Sequence, residues 1–168
     1  MTASPGVDTA GTPRDAGADA FAVALALLTG RALTSGELEV RLRRRGFDPA
    51  AIAAARERVV ALGCLDDRRT AAAWAESAAR VRGLGPRRVR EGLAKRRLSR
   101  ELVEETAATV FAAGEEQRLV REALARWERA KGAAADAVAR RAAYAHLRRR
   151  GFSSSASRAA LFSAPEFE

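Results

Sequence analysis

Apolar residues recur at helical spacing along the chain, and no run of four to eight residues alternates apolar and polar positions as a strand does. Thr34 and Glu37, three residues apart, have the spacing of a capping box at the start of one helix. Asp48 followed by Pro49 is typical of the start of the next helix. The pattern therefore predicts an all-α protein.

A hexapeptide, LRRRGF, occurs at residues 42–47 and again at 147–152, and the related segment LAKRRL lies between them at 93–98. The opening leucines are separated by 51 and 54 residues, and each segment is followed by a helix-capping Asp or Ser. The spacing predicts a tandem array of three three-helix repeats that forms an elongated, curved arc.

The predicted divisions follow from this repeat and from the terminal composition. They are a disordered tail over 1–20, rich in Gly, Pro and Asp, and repeats over 21–63, 64–114 and 115–164. A module of about fifty residues is marginal alone, so we expect each repeat to pack against its neighbour.

Charge is strongly biased: 30 Lys and Arg stand against 21 Asp and Glu, a net charge of +9. A polyanion or an acidic protein surface is the natural partner of such a chain. The alternative is that a compositional bias places Arg and Ala on every solvated helix face, so only clustered cations are informative.

The chain has one cysteine, Cys64, and one histidine, His146. These are too few for a disulfide or for a clustered Cys/His zinc site, and a serine triad would require the single histidine. We expect Cys64 to be buried at a helix end and His146 to lie on a helix surface. Paired acids occur only at helix starts or on solvated faces. The sequence thus predicts no enzyme, cofactor or metal, and it predicts a cytoplasmic protein without a membrane span.

Cations cluster on the middle helix of each repeat. A residue two positions after the repeated leucine lies about 200° around the helix, so Arg44, Lys95 and Arg149 should point away from the core. Residues 80–100 contain nine Lys or Arg and one acid, Glu91. Arg88, Glu91 and Lys95 share the outward stripe of the helix, so we expect one cation to be partly paired within the helix and most of the charge to remain free. The predicted contact residues, all electrostatic in role, are Arg87, Arg88, Arg90, Lys95 and Arg96 in the centre and Arg43, Arg44, Arg148 and Arg149 on the flanks.

Two other features have weaker functional interpretations. Trp74 and Trp127 lie at nearly matching places on first helices and could stack on a base, but their alanine-rich faces favour burial. GLGP at 83–86 could hold a phosphate at a helix start. No strand precedes that loop and no Lys-Ser/Thr pair follows it, so it does not match a P-loop.

Three segments in order, GCLDDRRTAAAW (63–74), RGLGPRRVREGLAKRRLS (82–99) and YAHLRRRGFS (144–153), resemble the RecX family of bacterial regulators of the RecA recombinase. With TSGELEVRLRRRGFD the resemblance covers most of residues 21–164. Two positions depart from the family pattern, since Thr70 replaces an aromatic residue and Arg97 replaces a glycine.

The resemblance implies an arc of nine helices in the groove of a RecA–DNA filament that modulates, usually restrains, strand exchange, ATP hydrolysis and coprotease activity. The implied partner is the RecA filament. We also expect weak contact with the DNA phosphate backbone, without sequence preference, and a monomeric protein. The alternative is an independent DNA-binding protein of helix-turn-helix type. Against it, the third helix of the second repeat, near residues 99–114, is acidic.

Overall fold

The computed structural model describes residues 16–162, and within this range the chain forms nine α-helices and no strand. The helices are α1 (Ala16–Gly30), α2 (Ser35–Arg43), α3 (Pro49–Ala61), α4 (Asp67–Glu76), α5 (Pro86–Lys95), α6 (Arg100–Val110), α7 (Glu115–Lys131), α8 (Ala137–Arg150) and α9 (Ser154–Phe162). The all-α prediction is confirmed. Each predicted repeat contains three of these helices, although α1 begins before residue 21, the predicted start of the first repeat.

The chain divides into two compact units, with the boundary between Leu65 and Asp66. In the first unit, α1 packs mainly on α3, and α2 contacts both. The predicted tail over 1–20 is too long, because α1 begins at Ala16 and Ala20 has 0% of its surface exposed. Residues 1–15 lie outside the described part of the chain.

The second unit contains α4 to α9 around one continuous core. Within it α4 packs on α6, and α7 packs on α9. The largest fully buried side chains of this core come from both of the last two predicted repeats and include Val89, Leu93, Leu119, Val120, Leu147 and Phe152. The repeats at 64–114 and 115–164 therefore share one core, and we expect them to unfold together.

Helices begin where the sequence predicts because side chains satisfy their first amides. Thr34 Oγ1 accepts from the amide of Glu37 at 3.2 Å, and Glu37 Oε2 accepts from the amide of Thr34 at 3.0 Å, which completes the capping box. The same role of accepting a hydrogen bond from an amide three residues later is filled by Asp48, Asp66, Ser99, Asp136 and Ser153.

The repeated hexapeptide is the end of a helix. Its opening residues Leu42, Leu93 and Leu147 each have 0% exposed surface, which confirms that they point into their units. In the first and last copies the glycine takes a left-handed conformation, with φ of 86° at Gly46 and 96° at Gly151. The amide of the following phenylalanine then donates to the carbonyl of the opening leucine, at 3.4 Å in the first copy and 3.2 Å in the last. This is the hydrogen-bond pattern of a Schellman motif, so the repeat is primarily structural.

A π-helical turn, Ser77–Val81, continues α4. The amide of Arg82 donates to the carbonyl of Ser77 at 3.1 Å, an i to i+5 bond. Both Ala78 and Ala79 have 0% exposed surface, so the wider turn presents two consecutive alanines to the core. The sequence pattern did not predict this turn, since alanines fit an α-helix equally well.

Cys64 is exposed, which corrects the prediction that it is buried. Gly63 has a φ of 68° and turns the chain after α3, so that Leu65, only 4% exposed, enters the core of the first unit instead. The thiol of Cys64 contacts the carbonyl of Leu62 at 3.8 Å.

Candidate partner-binding surface

In the second unit, the beginning of α5 meets the end of α8. The amide of Gly85 donates to the carbonyl of Arg150 at 2.9 Å, and the amide of Arg87 donates to the carbonyl of Gly151 at 3.1 Å. The positive end of one helix dipole thus faces the negative end of another. These amides are the ones that the phosphate hypothesis for 83–86 required, so that interpretation is wrong.

Two glycines permit this close approach. A Cβ at Gly85 would lie 2.4 Å from the backbone nitrogen of Phe152, and a Cβ at Gly151 would lie 2.6 Å from Cγ of Arg88. Contacts this short leave no room for a side chain. Gly85, the second glycine of the GLGP loop, is therefore explained by packing against the end of α8.

Side chains of α5 extend the same contact and join two predicted clusters. Nη2 of Arg87 donates to the carbonyl of Arg148 at 3.1 Å, and Nε of Arg88 donates to the carbonyl of Arg149 at 3.0 Å. The central cluster of the sequence analysis and its C-terminal flank are therefore neighbours. Arg43 and Arg44 belong to the other compact unit.

The central cations are more fully paired than predicted. Glu91 accepts from Nη1 of Arg87 at 2.6 Å and from Nη1 of Arg88 at 2.9 Å, while Nε of Arg90 pairs with Glu104 of α6 at 2.8 Å. Partial burial raises the pKa of Glu91, but the hydrogen bonds and charges of Arg87 and Arg88 outweigh it and lower that pKa overall. The expected in-helix pair with Glu91 is present, and the pairs made by Arg87 and Arg90 are additional to it.

Other predicted contact residues are exposed and make no ion pair within the described residues. They are Arg43, Arg44, Lys95 and Arg149. The prediction that Arg44, Lys95 and Arg149 point away from the core is confirmed by their exposure. Arg96 is half-buried.

A surface groove lies beside the α5–α8 junction, with a volume of about 520 Å³. Arg87, Arg90 and Arg148 are among the residues that line it, together with the apolar Phe111. Three of the nine predicted contact residues therefore surround one concave surface.

Arg126 and Arg150 were missed by the sequence analysis. Nη1 of Arg126 donates to the carbonyl of Val81 at 3.2 Å, and Nε of Arg150 donates to the carbonyl of Gly83 at 3.0 Å. These contacts join residues 45 and 67 positions apart along the chain. No local pattern identifies them, because they depend on how α7 and α8 pack beside the π-helical turn.

The two tryptophans pack against the core of the second unit and keep partial exposure. The guanidinium of Arg82 lies 4.6 Å from the ring centroid of Trp74. A Cβ at Gly92 would lie 1.9 Å from Cη2 of Trp74, so the indole rests directly on the backbone of α5. The ring is a packing element between α4 and α5, as the prediction of burial implied.

His146 is half-buried on α8. Burial lowers the pKa of His146, and the nearby charges of Arg150 and Arg149 lower it further. Among the described residues, no group of three or more His, Cys, Asp or Glu is placed to hold a metal ion. No helix in that range is long and apolar enough to cross a bilayer.

The comparisons with known proteins agree on one family. Models of the first and second three-helix domains of RecX match residues 20–58 and 66–106. The regulatory protein RecX of Mycobacterium sp. (strain JLS) is 33% identical over 139 residues, covering 81% of this chain and 76% of that protein. The RecX of Mycolicibacterium smegmatis is 34% identical over 155 residues, and the match covers 90% of this chain and 82% of that protein.

A solved structure shows the same fold. The crystal structure of RecX from Lactobacillus salivarius superposes with a TM-score of 0.78, at 16% identity, over 88% of this chain and 95% of that one. The sequence comparisons and the fold comparison therefore point to the same family. The chain belongs to the RecX family.

Proposed function

We propose that this chain binds the RecA–DNA filament and restrains its recombinase, ATPase and coprotease activities through a basic helical surface. Family membership supports the choice of partner, since the relatives are regulatory proteins named RecX. The observation that carries the surface is the α5–α8 junction, which brings Arg87 and Arg88 against Arg148 and Arg149.

Within this surface the cations have two roles. Lys95 and Arg149 are exposed and lack ion pairs within the described residues, so their charge is available to phosphate or carboxylate. Arg87, Arg88 and Arg90 donate hydrogen bonds to Glu91 and Glu104, and these bonds fix the orientation of their guanidinium groups. The seven predicted contact residues of the second unit remain in the proposed surface, and we propose Arg43 and Arg44 of the first unit as further contact residues.

A filament repeats its subunits along an axis, so a chain with cations in several repeats can contact more than one subunit. Such multivalent contact raises affinity without any strong individual site. Contact with DNA phosphate would be weak and independent of sequence, because phosphate contacts carry no base information.

The helix-turn-helix alternative is less well supported. It would place α6 against DNA as the recognition helix, yet Glu104 and Glu105 are exposed on that helix. Glu104 pairs with Arg90 and Glu105 pairs with Arg68, so acids and bound cations occupy the surface that would meet the bases. A negative helix face is unfavourable beside phosphate.

We also propose that the protein acts as a monomer, without enzymatic activity or cofactor, in the cytoplasm where RecA filaments assemble. The lack of enzymatic activity and of a cofactor follows from regulation by binding alone, which needs no covalent step.

The test measures RecA ATPase and strand exchange with and without the protein at several salt concentrations. Inhibition that weakens as salt rises, at protein concentrations too low to saturate bare DNA, is the expected result. Equal affinity for bare DNA and for the filament would instead favour the DNA-binding alternative. No effect on RecA at any salt would overturn the proposal.

A further inference from the structure

Two arginines from different helices converge on the loop that follows the π-helical turn. The position where a Cβ of Gly83 would lie is 3.1 Å from Nη2 of Arg150 and 3.4 Å from Cζ of Arg126. Both guanidinium groups therefore flank the same backbone atom. Arg126 comes from the second half of α7 and Arg150 is the last residue of α8.

These like charges lack matching acids. Arg150 makes no ion pair with any described residue, and the carboxylate of Glu122 approaches Nη2 of Arg126 only to 3.8 Å. Glu122 is also bound by Arg118, so its charge is shared. Two adjacent cations repel each other unless an anion lies between or beside them.

The neighbouring residues add one further positive charge and one titratable group. Arg149, exposed and without an ion pair, is next in sequence, and His146 lies one turn earlier on α8. Burial lowers the pKa of Arg150, with a further contribution from the charge of Arg126. A bound anion would favour the charged form of both guanidinium groups.

The protein's own hydrogen bonds hold the pair in place without exhausting it. Arg150 uses Nε for the carbonyl of Gly83, and Arg126 uses Nη1 for the carbonyl of Val81 and Nε for that of Glu122, at 3.4 Å. A guanidinium has five N–H donors, so both groups keep donors for a ligand. π-Helical turns often occur at functional sites.

We propose that Arg126 and Arg150 form an anion site that binds one phosphate of the DNA backbone. A phosphodiester has two non-bridging oxygens in tetrahedral arrangement, so each can accept from a different arginine. The identity of the nucleic acid rests on the proposed function, because the RecA filament supplies the DNA.

His146 is the only histidine in the chain and reports on this site directly. The experiment follows the imidazole of His146 by NMR in the labelled full chain during a pH titration. The titration is done with and without an oligothymidylate of roughly 12 nucleotides, a length within the site size of single-strand binding modules. A phosphate bound between Arg126 and Arg150 offsets their charge, so the pKa of His146 is expected to rise when the oligonucleotide is added.

The test variant is Arg126→Gln with Arg150→Gln, and the matched control is Arg121→Gln with Arg141→Gln. The control removes the same charge from the same two helices at exposed positions. The test variant is expected to lose the response of His146 to the oligonucleotide and to bind it with a salt slope shallower by about 0.7 for each lost phosphate contact. The control is expected to keep the response.

Equal loss in both variants would mean that only net charge matters and would overturn the site. If the pKa of His146 rises with polyglutamate and not with oligothymidylate, Arg126 and Arg150 bind an acidic protein, and the phosphate site is overturned. If the test variant does not fold, the wild-type titration decides, since no response of His146 to the oligonucleotide refutes the proposal. Inhibition of RecA is measured separately: wild-type protein that inhibits RecA without the His146 response refutes this site and leaves the proposed function standing.

Discussion

Arg88 donates a hydrogen bond from Nε to the main-chain oxygen of Arg149 at 3.0 Å, across 61 positions of sequence. The same guanidinium also pairs with Glu91 on its own helix. The sequence pattern places Arg88 in the central contact cluster and Arg149 in the C-terminal one, and the structure joins the two residues by a hydrogen bond. Arg88 contributes to the position of the C-terminal cations as well as to the charge of the surface.

This bond makes Arg88→Gln a stability variant. A charged hydrogen bond to a carbonyl contributes about 1.5–3 kcal/mol when buried, and partial exposure reduces that to about 1 kcal/mol here. We expect Arg88→Gln to lower the free energy of unfolding by about that amount, measured by urea denaturation. Lys95→Gln, at an exposed position on the same helix, is the control and should change it by less than about 0.5 kcal/mol. Equal midpoints for the two variants would show that the bond does not stabilise the junction.

The exposed cations of the three repeats give a complementary variant. Arg44→Gln, Lys95→Gln and Arg149→Gln together remove charge that no ion pair within the described residues engages. We expect this variant to have an unchanged free energy of unfolding and to inhibit RecA more weakly. We also expect its inhibition to depend less on salt concentration.

The control for this triple variant is a second one with the same loss of charge. Arg69→Gln, Arg121→Gln and Arg129→Gln also replace exposed arginines, at positions outside the proposed surface. If both triple variants lose RecA inhibition equally at every salt, the contact assignment is wrong and the effect is one of net charge.

Local signals in the sequence were sufficient for most of the helix boundaries. A cap needs only the side chain three residues before the amide it binds, so Thr34, Asp48 and Ser99 could be identified without any knowledge of tertiary packing. The same holds for Gly46 and Gly151, whose left-handed conformation is a property of the helix end.

Contacts between helices could not be predicted in this way. The sequence shows that Glu91 can reach Arg87 at i−4, but not that Arg90 meets Glu104 or that α5 begins where α8 ends. Cys64 illustrates the same limit, because a one-residue difference in where the chain turns decides whether it or Leu65 is buried. Such choices depend on the packing of the whole unit.

Arg97 occupies the position that is glycine in the other two copies of the hexapeptide. Its φ is 62°, the one positive value at a non-glycine residue in the described chain. This conformation costs an ordinary residue about 1 kcal/mol or more, partly offset because glycine has more freedom when unfolded. We expect Arg97→Gly to raise the free energy of unfolding by up to about 1 kcal/mol, and Arg97→Val to lower it because a β-branched side chain resists positive φ.

Gly46→Ala is the matched reverse change. Nothing lies within 4 Å of a Cβ built at Gly46, so its positive φ alone determines the cost. We expect a loss of about 1 kcal/mol in the free energy of unfolding. An Arg97→Gly variant that is less stable than wild type would show that the arginine side chain contributes more than its backbone strain costs.

Gly92 allows the indole of Trp74 to lie on α5. The Cβ of Gly92→Ala would meet Cη2 of Trp74 at 1.9 Å, so the ring must move despite the better helix propensity of alanine. We expect the free energy of unfolding to fall by about 1–3 kcal/mol, as for other overpacked cores. The measurement is urea denaturation with the near-ultraviolet dichroism of the tryptophans, and Gly30→Ala, with open space around its Cβ, is the control. Unchanged stability and dichroism would contradict the packing role of Gly92.

His146 predicts a pH dependence of stability with a definite sign. Burial, together with the charges of Arg150 and Arg149, lowers the pKa of His146 in the folded protein below its ordinary value of 6.5. Between these two pKa values the unfolded chain binds more protons than the folded one, so the free energy of unfolding falls as the pH decreases through 6.5. The contribution of His146 becomes constant once the pH is below its folded pKa.

The corresponding variant is His146→Gln, which keeps a polar side chain of similar size and cannot titrate. Urea denaturation of wild type and variant at a series of pH values isolates the effect, because other groups contribute equally to both proteins. We expect the stability of wild type relative to His146→Gln to be greatest above the ordinary histidine pKa and to decline on acidification. A difference that stays constant with pH, or that grows on acidification, would mean that the imidazole is neither desolvated nor repelled by Arg149 and Arg150 in the folded chain.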